Sequence, residues 1–182
     1  VVGRSLPLAP QSEPDEALAS ALAKLIDVRG KRPAPRRDPR IVTGRNGLAV
    51  SILTRAGAAF GQRRYLEQAA ALASFAGNRK LSRVVGMNVD PLPEDYALLI
   101  GGLLDLYEAT LDSRWMKLAR ALQQEQDRRF WNDKTLRYEG GVAIPGVLVD
   151  ADPLSNAASA VNLERLAAMT GVPARSVTIP AT

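Results

Sequence analysis

Apolar residues recur at intervals of three and four along most of this chain, a spacing that predicts helices joined by turns. Leu18, Leu22, Leu25 and Ile26 share one face of a first helix expected from about Pro14 to Asp27. There Pro14 takes the favoured first-turn position, and Asp15 and Glu16 complement the positive helix end. A first hairpin is expected to pair Gly47 to Phe60 with Arg64 to Ala76, with Gly61 and Gly77 as stops. A second pairs Glu94 to Ala109 with Arg114 to Arg129. Leu98, Leu99, Ile100, Leu103, Leu104, Leu106 and Tyr107 cover more than half the circumference of its first arm, which reads as an inner helix. The second arm confines its apolar residues to Trp115, Met116, Leu118, Ala119 and Leu122, as an outer helix does. Leu136-Arg137-Tyr138 is expected to pair with part of Val142 to Val149 as a short β-hairpin with Gly140-Gly141 at its tip. A last helix runs from after Asp152-Pro153 to Gly171.

The two hairpins carry the same phrase. Phe60-Gly61-Gln62-Arg63-Arg64-Tyr65-Leu66 with Ala69 aligns with Thr110-Leu111-Asp112-Ser113-Arg114-Trp115-Met116 with Ala119, and Thr170-Gly171 echoes Thr110-Leu111 after the last helix. A repeated helix, tight turn and returning helix describes an array of hairpins. The expected fold class is all-α, a segment of an α/α toroid with about three hairpins. The expected organisation is an N-terminal helix and lead-in over 1–28, a basic Pro-rich loop over 29–46, hairpin repeats over 47–171 and a tail over 172–182 that looks unanchored. An open array leaves its end helices uncovered, so self-association or lost neighbours are expected.

Composition narrows the chemistry. The 182 residues contain neither cysteine nor histidine, which removes thiolate nucleophiles, disulfides, the usual zinc sites and the commonest general base. Acid and base work is left to carboxylates, Lys and Tyr, and no cofactor or metal is expected. The absence of any apolar run of 18 residues argues against a membrane span. The first residue is Val, and the chain reads as a piece of a larger protein. Compartment is left open, leaning to the cytoplasm. The net charge of +5 is concentrated in Arg29, Lys31, Arg32, Arg36, Arg37, Arg40 and Arg45, against the single acid Asp38. That stretch has three prolines and no aromatic residue to stack on a base, so nucleic acid is not the expected partner. A solvated or internally paired loop is one reading, and a loop for an anionic ligand or an acidic partner is the other.

Four blocks of residues resemble a known family. Arg32-Pro33, Asp38, Arg40, Thr43 and Asn46-Gly47-Leu48 form the first, and Glu94-Asp95-Tyr96-Ala97 with Leu103, Leu106, Tyr107 and Thr110 the second and most specific. Phe130, Asp133 and Tyr138 form the third, and Asp152 to Asn156 with Asn162-Leu163, Leu166 and Thr170-Gly171 the fourth. Together they are similar to the C-terminal helical region of the YyaL-type proteins, a thioredoxin-domain family with a spermatogenesis-associated member in animals. The resemblance spans roughly residues 29 to 171. It implies part of an (α/α)6 barrel related to N-acylglucosamine epimerases and several glycosidases, and a thioredoxin-like domain N-terminal to it. Where the family has Trp before Asn-Gly-Leu this chain has Arg45, where it has a second Asp the chain has Pro39, and the loop near Asn156 lacks the family's Gly. Epimerases of this fold abstract protons with histidine, which this chain does not contain.

The candidate catalytic residues are Glu94, Asp95 and Asp152, with Asp38, Arg40, Arg45, Asn46, Tyr96 and Asn156 as candidate ligand contacts. Paired carboxylates across a sugar ring serve as acid and base in glycoside hydrolysis. Glu94 and Asp95 are neighbours, which point about 100° apart on a helix, so a third acid is required to complete such a pair. First-turn acids also cap helices, and Asp152 before Pro153 has the same double reading. Two functions stand side by side: a carbohydrate site built from these residues, or a non-catalytic helical scaffold with a basic loop.

Overall fold

The computed structural model describes residues 16–33, 36, 38–77, 80–140 and 153–178, and the chain divides into two units at Pro39 and Arg40. The described part of the first unit contains helix α1 (Glu16–Gly30), in which every residue is exposed.

Among its described residues the second unit is all-α apart from one small hairpin. It contains α2 (Thr43–Phe60), α3 (Arg63–Gly77), α4 (Pro93–Thr110), α5 (Ser113–Phe130), strands β1 (Trp131–Asn132) and β2 (Arg137–Tyr138), and α6 (Pro153–Thr170). Helix α4 is the centre: α2 and α6 flank it, and α3 and α5 pack behind this row. Its wide apolar surface is buried as Tyr96, Leu99, Ile100, Leu103, Leu104 and Leu106, against Val50, Ala69, Ala73, Trp115, Ala119 and Leu166. Helix α4 is thus buried over most of its surface, and α5 buries one face that includes Trp115 and Ala119.

The row helices α2 and α4 run parallel, and glycine sets their spacing. A Cβ on Gly47 would lie 2.4 Å from the Leu99 nitrogen, and one on Gly102 would lie 2.4 Å from the Gly47 carbonyl oxygen. Side chains are thereby excluded from this crossing, and the backbones meet directly. Helix α2 starts at Thr43, four residues before the expected Gly47. The reason is external capping: Thr43 N donates to Arg83 O at 2.9 Å and Gly44 N to Asp95 Oδ1 at 2.9 Å, so the first amides find partners outside the helix.

The repeated phrase has a single structural meaning. Gly61, Leu111 and Gly171 all adopt left-handed backbone (φ 63°, 54° and 72°), and each N–H donates to the carbonyl four residues back. All three row helices therefore end in the same cap. The arginine that follows lies over its aromatic neighbour, Arg64 at 4.8 Å from the Tyr65 ring centre and Arg114 at 4.2 Å from that of Trp115. Arg114 also pairs with Asp112 at 2.8 Å, in its own turn and not between hairpins.

Downstream, one expectation lies outside the described residues and one is corrected. Arg137-Tyr138 pairs antiparallel with Trp131-Asn132, because Asn132 Oδ1 accepts from Lys134 N at 2.9 Å and turns the chain there; the expected partner segment 142–149 lies outside the described residues. The tail is anchored, with Thr178 N donating to Leu136 O at 2.7 Å and Arg175 stacked over Trp131 at 4.7 Å.

Candidate functional site

The candidate residues on described helices fall in the first turns of the three row helices: Arg45 and Asn46 on α2, Glu94, Asp95 and Tyr96 on α4, and Asn156 on α6. Asp95 is fully buried. Its Oδ2 accepts from Leu92 N at 2.9 Å and closes the first turn of α4, while its Oδ1 accepts from Gly44 N and caps α2. Arg83 Nη1 stands 3.3 Å from Asp95 and 3.5 Å from Glu94. Burial pushes the Asp95 carboxyl above its ordinary value, and the two amides and Arg83 offset this only in part.

The other candidates diverge from one another. Tyr96 is buried in the core with its ring edge-on to Phe130 at 5.8 Å, and burial raises its phenol. Asn156 is buried and clamps β2, accepting from Tyr138 N at 2.8 Å and donating to Tyr138 O at 3.1 Å. Asn46 Nδ2 donates to Val42 O at 2.8 Å. Arg45 is exposed and Glu94 is half-buried. Arg40 is exposed ahead of α2, Asp38 is exposed in the first unit, and Asp152 lies outside the described residues. Among the described residues no group of three or more acidic, His or Cys side chains is placed to hold a metal ion, and no helix is long and apolar enough to cross a membrane.

A second cluster escaped the sequence reading. Ten residues along α4 from Asp95, Asp105 is 6% exposed and receives donors from both flanking helices. Ser51 Oγ and Arg55 Nε (2.9 Å) reach it from α2, and Arg165 Nη2 (2.8 Å) reaches it from α6. Arg165 also holds Glu108 at 3.0 Å. The hydrogen bonds from Arg55 and Ser51 and the charge of Arg165 outweigh the cost of burial, and hold the Asp105 carboxyl below its usual range. This clasp borders a cavity of about 490 Å³ lined by Arg55, Ala58, Asp105, Glu108, Val161 and Arg165. The signal was present in Leu103-Leu104-Asp105-Leu106, since a charge within the apolar surface of an inner helix requires charged partners nearby.

The buried face of α6 is also polar. Ser159 Oγ accepts from Gln126 Nε2 at 2.8 Å, Asn162 Nδ2 donates to Ala97 O at 2.8 Å, and Ser155 and Asn156 complete the stripe. Behind it, Tyr138 Oη donates to Asp127 Oδ1 at 2.5 Å and accepts from Gln123 Nε2 at 2.9 Å, and burial raises the Tyr138 phenol. These groups fasten α6, α5 and the hairpin together.

Human spermatogenesis-associated protein 20 is 36% identical over 181 aligned positions, covering 85% of this chain and 23% of the human protein. The chain is a homologue of spermatogenesis-associated protein 20. That homology bears out the resemblance to the YyaL-type, thioredoxin-domain-containing family. The mouse form of spermatogenesis-associated protein 20 is 35% identical over the same share of this chain, and an uncharacterised Caenorhabditis elegans protein is 36% identical over 124 positions, 59% of this chain and 17% of its own length. No protein-family model matches the chain. The chain spans less than a quarter of the length of spermatogenesis-associated protein 20, which leaves room for other domains in the relatives.

Proposed function

We propose that this region is a non-catalytic helical scaffold, one stretch of the wall of an α/α toroid within a longer protein. The observation that carries the reading is the state of Asp95. Both of its oxygens accept backbone amides, one from each of two helix starts, which is the work of a cap and leaves a poor geometry for exchanging protons with a substrate. The alternation of row helices with helices behind them, and the shared left-handed cap of α2, α4 and α6, support the toroid. In this reading the basic stretch from Arg29 to Arg45 is the surface offered to an acidic partner, and the longer protein carries a thioredoxin-like domain elsewhere.

A carbohydrate-binding or carbohydrate-processing role is the second reading, favoured by Glu94, a half-buried acid in a first turn with Arg83 at 3.5 Å. It centres on Glu94, Arg45 and Asn46. Thermal melting with a panel of mono- and oligosaccharides separates the two. The scaffold predicts a cooperative transition that no sugar moves; a sugar class that raises the melting temperature of the wild type, but not of Glu94→Gln, would overturn it.

A further inference from the structure

Helix α5, helix α6 and the tail after Gly171 enclose a second cavity, of about 250 Å³. Leu163, Leu166 and Ala167 of α6 and Pro173 of the tail give it an apolar lining. Its α5 side is polar. Arg120, Gln123 and Asp127 recur at steps of three and four residues and so share one face of that helix, with Arg120 and Asp127 two turns, about 10 Å, apart along its axis. Arg175 joins the lining from the tail, held over the Trp131 ring at 4.7 Å.

One atom of this lining is anomalous. Gln123 is 5% exposed, and its Oε1 is buried and accepts no hydrogen bond. Turning the amide over does not cure this. Its Nε2 donates to Asp127 Oδ1 at 2.9 Å and stands 3.4 Å from Gln126 Oε1, and Gln126 is itself fixed because its Nε2 donates to Pro93 O at 3.3 Å. A reversed Gln123 would set its oxygen against two acceptors. A buried carbonyl oxygen without a donor is costly, and in native proteins it marks the place of a water, an ion or a ligand. Asp127 Oδ1 is occupied by Gln123 and Tyr138, while Oδ2 accepts no hydrogen bond among the described residues. Among the same residues neither Arg120 nor Arg175 pairs with a carboxylate. Two open acceptors call for an ammonium group, and two open guanidinium groups call for a carboxylate. A lone cation would leave the arginines unanswered, and a lone anion would leave Gln123 and Asp127 so. The volume falls just below the roughly 300–1,000 Å³ of sites for drug-sized ligands, which suits a smaller molecule.

We propose that this cavity binds a small zwitterion of the amino-acid type, whose ammonium group donates to Gln123 Oε1 and Asp127, whose carboxylate accepts from Arg120 and Arg175, and whose aliphatic part lies on Leu163 and Leu166. The site shares no residue with the Glu94 reading and stands whether or not the region is a scaffold. Isothermal titration calorimetry on the full-length protein encoded by the gene tests it. The probes are 6-aminohexanoate and L-leucine, whose two charges are far apart and close together, and hexylamine and hexanoate, which carry one charge each. At least one of the two amino acids should bind about tenfold or more tightly than either single-charge compound, the worth of one charged hydrogen-bonded contact. Arg120 is exposed, so Arg120→Met keeps the fold; it should weaken the amino acid about tenfold and leave hexylamine unchanged. Gln123→Met should weaken hexylamine as well, and where that buried change unfolds the protein the Arg120→Met result still decides. Absence of binding by all four compounds would overturn the proposal and leave the cavity to water. So would amino-acid binding that Arg120→Met does not weaken, which puts the ligand elsewhere, or hexanoate bound as tightly as the amino acids, the mark of a simple anion site.

Discussion

The contact between α2 and α4 is made in two different ways along its length. At the start, Gly44, Gly47 and Gly102 bring backbone against backbone, and the fully buried Asp95 accepts two backbone amides, with Arg83 at 3.3 Å. Further along, Ser51 and Arg55 reach Asp105 through their side chains, and a cavity of about 490 Å³ adjoins the gap. Both carboxylates are buried, yet the first is pushed toward its neutral form and the second is held ionised. Burial alone does not decide a carboxylate's behaviour; the charge of the groups that replace water does. The close end is fixed by shape and the open end by charge.

The sharpest way to break this contrast is to put volume into the close end. Gly47→Ala places a methyl group 2.4 Å from the Leu99 nitrogen, where only movement of a whole helix relieves the clash. We expect destabilisation of about 3 kcal/mol, the upper end of the overpacking range, read from denaturant unfolding. A loss below about 0.5 kcal/mol, within the range of ordinary surface substitutions, would mean the helices separate freely and the close end is not close.

At the open end, Asp105→Ala should cost roughly 1.5–3 kcal/mol, the range for hydrogen bonds to charged groups, with Arg165 contributing more than the largely exposed Arg55. Its pH dependence identifies the cause. Because the folded-state pKa is depressed, the Asp105 contribution is complete above the unfolded value of about 3.9 and is lost as pH falls through the lower folded value. Wild type and Asp105→Ala should therefore converge in stability below about pH 4. Parallel curves down to low pH would show that the clasp acts by packing alone.

Asp95 should respond with the opposite sign. Its folded-state pKa is raised, so the folded protein holds the proton more tightly than the unfolded chain, and ionisation weakens the fold as pH rises through the folded value. Acidification toward about pH 4 should recover part of that cost in the wild type and none of it in Asp95→Asn. At neutral pH Asp95→Asn trades one acceptor for a donor that faces another donor, and should cost about 1 kcal/mol. A variant more stable than wild type at pH 7 would show that desolvation outweighs the caps.

The contrast also explains what was legible in the sequence. The helix order, the inner role of α4 and the repeated turn follow from apolar spacing and from one recurring phrase, because those are local signals. The start of α2 was missed because the amides of Thr43 and Gly44 are capped from Arg83 and Asp95, some forty and fifty residues away. The pairing of β2 with β1 rests on the Asn132 side chain, which turns the chain, whereas the expected partner segment 142–149 lies outside the described residues. Asn156 and Tyr96 look like ligand contacts in the sequence, whereas in the fold Asn156 clamps β2 and Tyr96 fills the core. Polar residues at 155, 156, 159 and 162 have helical spacing, a pattern as regular as any apolar stripe but ordinarily read as a solvent face.

The smallest effect concerns the cap at the open end of the row. Gly61 and Gly171 adopt the left-handed conformation without a Cβ, but at the same repeat position α4 has Leu111, at φ 54°. A non-glycine residue there costs about 1–2 kcal/mol, and glycine gives back roughly 0.5–1 kcal/mol of that through its greater freedom in the unfolded chain. Leu111 is 77% exposed, so little burial is lost with its side chain. Leu111→Gly should therefore stabilise the protein by about 0.5–1 kcal/mol, with the change additive to Gly47→Ala because the two sites share no partner. If Leu111→Gly is destabilising instead, the exposed leucine is covered in solution, and the end of the row where side chains do the holding has a neighbour that the close end lacks.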